Sequence, residues 1–156
     1  MLFKTLLCLI GFIYFSQESK IYLREFDDNG NLIAEGWQKG AAKEAYWYYY
    51  YPSGSIKAKG SYHNNQKNGY WFYYDSDTRL TREGHYDQDQ KISWWIVYLS
   101  KNQKEKIQYQ NNVKEGYGLL YKDEKLIKAN RYDQDQLSGS WTNISQFKKD
   151  NPNARF

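Results

Sequence analysis

The sequence predicts an all-β fold, a single elongated and twisted antiparallel meander of stacked β-hairpin repeats of about 23–24 residues each. Three series of aromatic residues recur with this period. Trp47, Trp71, Trp95 and Trp141 are separated by 24, 24 and 46 residues, with Gly118 at the position between the last two. One tyrosine series follows three residues later (Tyr50, Tyr74, Tyr98, Tyr121), and another keeps the same spacing (Tyr62, Tyr86, Tyr109, Tyr132). A fixed period of roughly 20–50 residues indicates one structural unit stacked on copies of itself.

The composition supports a folded chain whose core consists of aromatic rings. The chain has 156 residues, which is the size of one domain. Its mean hydropathy is only −0.96, but 19% of its residues are aromatic, whereas disordered chains are poor in aromatic residues. Because a tyrosine or tryptophan ring buries roughly 150–250 Å², these rings replace leucine and valine as the main source of buried apolar area.

The segment from Trp71 to Trp94 shows how one unit is built. Residues 71–74 are strand formers, residues 75–78 have the composition of a turn, and residues 80–86 form a second strand. A polar stretch at 87–91 then leads to the next unit, so each repeat is a β-hairpin. A tryptophan and the tyrosine three residues later point to opposite sides of their strand, and aromatic rings are therefore expected on both faces of the sheet.

The repeat domain is expected to span residues 17–147, with a polar tail at 148–156. Its units lie near 21–46, 47–70, 71–94, 95–117 and 118–140, and a half unit follows at 141–147. Glycine or serine precedes most tryptophan positions by two residues, at Gly69, Ser93, Gly116 and Gly139. The aromatic residues expected in the repeat core are Trp47, Tyr50, Tyr62, Trp71, Tyr74, Tyr86, Trp95, Tyr98, Tyr109, Tyr121, Tyr132 and Trp141.

Residues 1–16 have the features of a signal peptide. Lys4 precedes an apolar run over residues 5–15, which is shorter than the roughly 20 residues of a membrane-spanning helix. We therefore expect export to the periplasm, the cell envelope or the medium, with cleavage before Gln17. The only cysteine, Cys8, lies inside this run, so the mature chain would contain no disulfide.

The charge of the remaining chain argues against nucleic acid as a partner. Removal of residues 1–16 takes away one cation, Lys4, and leaves a net charge of +3. The lysines are scattered along the sequence without a basic stripe, which is not the pattern of a nucleic-acid-binding surface. Nothing after residue 16 indicates membrane association.

The sequence contains no catalytic, cofactor or metal motif that would predict an enzyme. His63 follows one repeat tyrosine and His85 precedes another, so the two histidines are expected on opposite faces. The segment Asp87-Gln88-Asp89 offers carboxylates in a loop, but a calcium site needs at least six oxygen ligands and no calcium-loop pattern is present. We expect no catalytic residue, no metal and no cofactor.

One segment resembles a known repeat family. Residues 68–74, Asn-Gly-Tyr-Trp-Phe-Tyr-Tyr, are followed by a turn and then by Gly84-His85-Tyr86. This pattern resembles a MORN-type repeat, and more closely the variant found in bacterial YwqK-like antitoxin proteins. The resemblance covers about 21–147, with Ser93 and Gly118 as departures from the pattern. It implies an elongated hairpin stack with a non-enzymatic role, and the antitoxin designation implies a protein partner.

The sequence therefore favours an exported, non-enzymatic module that binds a protein partner, with an antitoxin-like or immunity-like role. Tyr48, Tyr49, Phe72 and Tyr73 extend the aromatic runs of the first two full units and are the candidate partner-binding residues. Two alternatives remain: a binder of envelope glycans or choline-type ligands through aromatic cages, and a structural envelope protein. A continuous exposed aromatic face would favour a protein partner, whereas cages between hairpins would favour a small ligand.

Overall fold

A computed structural model describes residues 19–154, and the predicted signal segment at 1–16 lies outside this range. The described residues form eleven strands and one short helix. The strands are β1 (Ile21–Phe26), β2 (Leu32–Lys39), β3 (Ala42–Tyr50), β4 (Ile56–His63), β5 (Gln66–Tyr74), β6 (Leu80–Asp87), β7 (Gln90–Ser100), β8 (Gln103–Gln110), β9 (Val113–Lys122), β10 (Lys125–Asp133) and β11 (Gln136–Trp141); the helix is α1 (Ile144–Asp150).

All eleven strands belong to one open antiparallel sheet, in which their spatial order is their order in the chain. The predicted all-β meander of consecutive hairpins is confirmed. Each strand packs mainly against the strand before it and the strand after it, as in other repeat architectures.

Two-residue turns at one end of the strands connect each unit to the next. Asn64 and Asn65 both have positive φ, 50° and 67°, and residues 88–89, 111–112 and 134–135 repeat this conformation. Positive φ at both central residues matches the twist of a β-hairpin, and asparagine and aspartate tolerate it well. The side-chain oxygen of the second turn residue also accepts a hydrogen bond from the backbone N–H of a lysine in the preceding unit. These pairs are Lys43–Asn65 (2.7 Å), Lys67–Asp89, Lys91–Asn112 and Lys114–Asp135 (2.8 Å each).

A β-bulge lies two residues before each tryptophan position of the first four full units. There Ala45, Gly69, Ser93 and Gly116 have positive φ of 56°, 78°, 58° and 99°. In the pairing of β4 with β5, Gly60 lies opposite Trp71 and Ser61 opposite Asn68, so two residues of β5 are unpaired on that side. The recurrent glycine of the sequence is thus explained by a left-handed backbone, which Ser93 adopts as well.

The sheet has two distinct faces. One carries Lys43, Lys67, Lys91 and Lys114 together with the buried Trp47, Trp71 and Trp95, and is called the lysine face here. The other is called the helix face because α1 packs against its C-terminal end. As the sequence predicted, the tryptophan of a unit and the tyrosine three residues later lie on opposite faces: Trp47 is on the lysine face and Tyr50 on the helix face.

Helix α1 was not anticipated from the sequence, which predicted a half unit ending at Phe147 and a polar tail beyond it. Strand β11 ends at Trp141, and the Asn143 side chain caps α1 by accepting a hydrogen bond from the backbone N–H of Gln146 (3.0 Å). The reason for the helix is Phe147, which is fully buried against Leu119 and Ala129. Residues 144–147 of the predicted half unit and residues 148–150 of the predicted tail are therefore helical.

Trp141 occupies a different environment from the other repeat tryptophans. In the pairing of β10 with β11, Arg131 lies opposite Gly139 and Tyr132 opposite Leu137, so this bulge contains one extra residue instead of two. A difference of one residue reverses the direction of every following side chain. Trp141 consequently points to the helix face, where it contacts the Phe147 ring with centroids 5.4 Å apart.

Candidate binding surface

The lysine face is built on three tryptophan rings that lie flat over glycines. The rings of Trp71 and Trp95 cover Gly60 and Gly84, and an added Cβ at either glycine would lie within 2.4 Å of the indole. The bulge beside each tryptophan also brings a backbone carbonyl to the indole N–H. Trp71 Nε1 donates to the carbonyl of Ser61 and Trp95 Nε1 to that of His85, each at 3.0 Å. Each ring is therefore fixed by packing and by a hydrogen bond.

A lysine four residues before each tryptophan lies over its ring. The Nζ atoms of Lys43, Lys67 and Lys91 lie 4.0, 4.7 and 4.8 Å from the centroids of Trp47, Trp71 and Trp95. In the fourth full unit Gly118 replaces the tryptophan, and Lys114 lies over Tyr132 instead, at 5.0 Å. These distances are within the range of cation–π attraction. The four lysines thus form a row across the strands.

Tyrosine pairs stand beside this lysine row. The hydroxyl groups of Tyr49 and Tyr62 are 2.8 Å apart, and those of Tyr73 and Tyr86 are 3.1 Å apart. Lys67 Nζ donates a hydrogen bond to the Tyr73 hydroxyl at 3.0 Å. Burial and the hydroxyl of the paired tyrosine raise the pKa of Tyr62 and of Tyr73 well above the usual value near 10. These hydroxyl groups therefore stay protonated at neutral pH.

Three of the four lysines have no acidic partner among residues 19–154. Lys43 forms an ion pair with Glu25 at 3.3 Å, whereas no carboxylate lies within ion-pair distance of Lys67, Lys91 or Lys114 Nζ in that part of the chain. Burial lowers the pKa of Lys67 and of Lys91, and the positive charge of Arg82 lowers both further, whereas the nearby carboxylate of Asp89 opposes the shift at Lys67. Lys67, Lys91 and Lys114 are therefore half-buried cations without an ion-pair partner in the described range.

The helix face has a different chemistry, with alternating charges. Glu35 and Glu83 accept hydrogen bonds from the hydroxyl groups of Tyr50 and Tyr98, each at 2.7 Å. Between them, Lys59 lies 5.3 Å from the Phe72 ring centroid. Burial, together with hydrogen bonding to the glutamates, raises the pKa of both Tyr50 and Tyr98. This face thus carries both acidic and basic groups.

The candidate partner-binding residues divide between the two faces. Tyr49 and Tyr73 stand on the lysine face, where they stack on Trp47 and Trp71. Tyr48 and Phe72 lie on the helix face, where they contact Tyr46 and Tyr70. All four side chains are half-buried, so none is a fully exposed ring.

Among the predicted core aromatics, Trp47, Trp71 and Trp95 are fully buried, while the tyrosines and Trp141 are half-buried. Sequence reasoning missed the lysine row, because lysines were examined only as neighbours in the chain. The signal was present, since Lys43, Lys67, Lys91 and Lys114 are 24, 24 and 23 residues apart, the same period as the tryptophans. The prediction of scattered lysines without a basic stripe was therefore wrong, since these four lysines form a row on one face of the sheet.

The prediction that His63 and His85 lie on opposite faces was also wrong. His63 faces Glu44, with Nδ1 3.4 Å from the carboxylate, and the His85 ring meets the Tyr70 ring edge-on at 4.7 Å. Both histidines are immediate neighbours of tyrosines that point to the lysine face. Since side chains alternate along a strand, both histidines belong to the helix face.

The loop carboxylates hold turns together. Asp89 is bonded to the backbone of Lys67, as described above. Asp75 accepts hydrogen bonds from the backbone N–H of Asp77 (3.0 Å) and from both the backbone and the side chain of Arg79 (2.9 Å each). The bonds to Arg79 lower the pKa of Asp75 below its usual value. Within residues 19–154, no three His, Cys, Asp or Glu side chains come together as potential metal ligands.

No protein-family model matches the chain, and no curated protein matches it by sequence. In the described range, no helix is long and apolar enough to cross a membrane.

Proposed function

We propose that this protein is a non-enzymatic repeat module that binds a protein partner. The observation that carries the proposal is the single open sheet, whose two faces present rows of aromatic rings and are left without a second layer over most of their length by residues 19–154. Tyrosine and tryptophan are enriched at binding hot spots because they offer large contact area at a small cost in side-chain entropy. A continuous face of this kind suits the extended surface of another protein.

The cation–π sites of the lysine face favour a protein partner over a choline-type ligand. Trp71, Tyr73 and Tyr86 surround one position, but Lys67 Nζ already occupies it, at 4.7, 5.4 and 5.1 Å from the three centroids. A quaternary ammonium ligand would have to displace this cation from every unit, which gives no net gain in cation–π contacts.

The proposal of a non-enzymatic role rests on the hydrogen bonds that the carboxylates of the sheet accept. The carboxylates of Asp75 and Asp89 are engaged by backbone N–H groups of turns, and those of Glu35 and Glu83 by tyrosine hydroxyls. A general acid or base must be able to exchange a proton with the substrate. These carboxylates instead accept hydrogen bonds that hold the turns and strands of the sheet together.

Export and an antitoxin-like or immunity-like role belong to the same proposal. They rest on the apolar segment at 1–16 and on the resemblance of residues 68–86 to MORN-type repeats of the YwqK-like variety. An exported binder would meet its partner in the periplasm or envelope. Intact-mass measurement of protein recovered from the producing cell tests export: a species beginning near Gln17 supports it, and full-length protein confined to the cytoplasm contradicts it.

The binding proposal is tested by cross-linking of the full-length protein in extracts of the producing cell, followed by mass spectrometry. Two double variants are compared with the wild type: Tyr49→Ala with Tyr73→Ala on the lysine face, and Tyr48→Ala with Phe72→Ala on the helix face. We expect one protein to be recovered with the wild type and lost with one of the two variants, while both keep a cooperative melting transition. Recovery of no partner, or equal recovery with both variants, would contradict the proposal, as would a hydrolytic activity that copurifies with the protein.

A further inference from the structure

We infer that the lysine face binds an acidic, extended segment of the partner protein, which runs across the strands and places one carboxylate beside each lysine of the row. The inference rests on the proposed function and identifies the face and the chemistry of the partner.

The charges of the two faces differ sharply. The lysine face carries Lys43, Lys67, Lys91 and Lys114, and Arg82 adds a further cation over the Tyr73 ring at 4.5 Å from its centroid. Its acids in the same region are Glu25, which is paired with Lys43, Glu105, whose carboxylate lies over Gly118, and Asp89, whose carboxylate is hydrogen-bonded to the backbone of Lys67. The middle of the row is therefore positive, whereas the helix face mixes both signs. Charge complementarity selects an acidic partner for the lysine face.

The cations of the row are held in place before any partner arrives. Lys67 Nζ is fixed by the Trp71 ring and by the Tyr73 hydroxyl, so binding would cost little side-chain entropy. It is half-buried and has no carboxylate partner in the described chain. A partly desolvated cation interacts with an incoming carboxylate more strongly than a fully hydrated one does. Preorganised cations without an ion-pair partner are the groups that an acidic segment needs.

The tyrosine pairs supply hydrogen-bond donors next to each cation. Lys67 donates to the Tyr73 hydroxyl and Tyr73 donates to the Tyr86 hydroxyl, so the proton of Tyr86 is left to donate outward. The same order runs from Lys43 through Tyr49 to Tyr62. A carboxylate accepts several hydrogen bonds at once, and bonds from both an ammonium and a hydroxyl group satisfy it.

The spacing of the row fits an extended peptide. Successive lysines lie two strands apart, which is about 9.6 Å at a strand separation of about 4.8 Å. Three residues of an extended chain cover about 10 Å at about 3.3 Å per residue. An acidic residue at every third position therefore matches the lysines one to one. Phosphate groups of nucleic acid and lipid headgroups are the other anionic occupants, and the experiment separates them from the peptide.

The test measures binding of a fluorescent peptide of about twelve residues with glutamate at every third position to the full-length protein, by anisotropy at low salt. The control peptide has glutamine in place of glutamate. The protein variants are Lys67→Gln with Lys91→Gln on the lysine face, and Lys59→Gln with Lys106→Gln on the helix face. The second pair is matched to the first in charge change and in cation–π contacts, since Lys59 lies over Phe72 and Lys106 over Trp94.

We expect the glutamate peptide to bind the wild type, with a loss of about tenfold or more in affinity for the lysine-face variant and less than about twofold for the helix-face variant. Lys67→Arg with Lys91→Arg should restore binding, which separates loss of charge from loss of fold. Equal binding of the glutamate and glutamine peptides would overturn the inference, as would equal binding by the two glutamine variants. Tighter binding of single-stranded DNA or of phosphatidylglycerol vesicles than of the peptide would overturn it too, in favour of a phosphate-bearing occupant.

The cross-linking experiment then distinguishes the two proposals. A partner recovered equally by the wild type and by Lys67→Gln with Lys91→Gln would leave the proposed function standing and refute the acidic-segment inference. Recovery of no partner would refute the proposed function itself.

Discussion

Each buried tryptophan ring of this sheet lies directly on a glycine of the neighbouring strand. Gly36, Gly60 and Gly84 stand opposite Trp47, Trp71 and Trp95, and the absence of a Cβ lets each indole lie flat on the neighbouring strand. The tryptophans are at most 1% exposed, although the sheet has only one layer. A single layer can bury large rings in this way because each ring covers backbone rather than a second sheet.

Gly60→Ala is expected to destabilise the protein by about 3 kcal/mol, because its Cβ would lie 2.3 Å from the Trp71 ring. The matched control is Gly69→Ala in the next strand, where an added Cβ meets nothing within 4 Å and only the positive φ of 78° opposes it. Ala45 and Ser93 already occupy equivalent positions, so this control should cost about 1 kcal/mol. Urea denaturation of both variants measures the difference, and equal losses would contradict the close contact.

Trp71→Ala should cost about 3–5 kcal/mol, and Trp141→Ala clearly less. Trp71 is fully buried between hairpins on both sides, whereas Trp141 is half-buried at the end of the sheet and hydrogen-bonds to Asp150 (2.9 Å). Denaturant melts followed by circular dichroism would compare the two variants. Similar losses would show that the two tryptophans contribute alike despite lying on opposite faces.

Turns and caps define the individual elements of the molecule. Four of the two-residue turns that join one unit to the next end in asparagine or aspartate, at Asn65, Asp89, Asn112 and Asp135, and this side chain accepts a hydrogen bond from the backbone of the preceding unit. These bonds join hairpins that are distant in sequence by about one repeat. The polar loops that the sequence predicted as simple connections between hairpins thus have a structural role.

Asp89→Ala should destabilise the protein by about 1–2 kcal/mol, because it removes the acceptor of the Lys67 N–H and places alanine at a φ of 66°. Asp89→Asn should be nearly neutral, since Asn65 and Asn112 fill the same position in neighbouring units. Thermal melts with and without a chelator complete the comparison. A large drop in melting temperature with the chelator, or with Asp89→Asn, would point to a bound cation instead.

The sequence predicted those elements that repeat and missed those that break the repeat. The period of Trp47, Trp71 and Trp95 was enough for the hairpin meander, because local strand and turn signals agreed with it at each copy. Trp141 kept the period but lies on the other face, since a bulge shorter by one residue cannot be recognised from spacing alone. Helix α1 depends on burial of Phe147 against Leu119 and Ala129, a tertiary contact with no local signal.

The candidate site was predictable only in part, because the contact between each lysine and its tryptophan ring depends on a bulge. The sequence identified Tyr49 and Tyr73 as surface aromatics but grouped them with Tyr48 and Phe72, which lie on the opposite face. The lysine row follows from the register: each of these lysines stands two residues after a turn and four before the position of the tryptophan. Lysine and tryptophan are four residues apart and share a face by strand alternation, and the bulge of two residues brings them into contact.

At the scale of the whole molecule, stability depends on buried phenol groups spread over both faces. Ten tyrosines within residues 19–154 have a raised pKa, with burial as the main cause in each; that of Tyr70 is raised to about 12. The pKa values of Lys67 and Lys91 shift in the opposite sense, because burial of a lysine lowers its pKa. Since the tyrosines outnumber these lysines, the tyrosines should dominate the response of the protein to alkaline pH.

The tyrosine contribution to the free energy of unfolding should therefore be constant below about pH 10 and fall steeply above it. A raised pKa means that the folded state binds the phenol proton more tightly than the unfolded state, whose tyrosines titrate near 10. The tyrosine contribution is fully present below that value and is lost as the pH rises through the pKa values of the folded state. Each phenol that ionises only on unfolding adds about 1.4 kcal/mol per pH unit to the slope.

Urea titrations between about pH 8 and 11 measure the free energy of unfolding, and tyrosinate absorbance reports ionisation of the tyrosines. We expect the absorbance to rise in the same step in which the β-sheet signal disappears, because the rings must leave the sheet to ionise. Smooth ionisation of most tyrosines near pH 10 with an unchanged β-sheet signal would show that the two faces are more open to solvent than this packing implies.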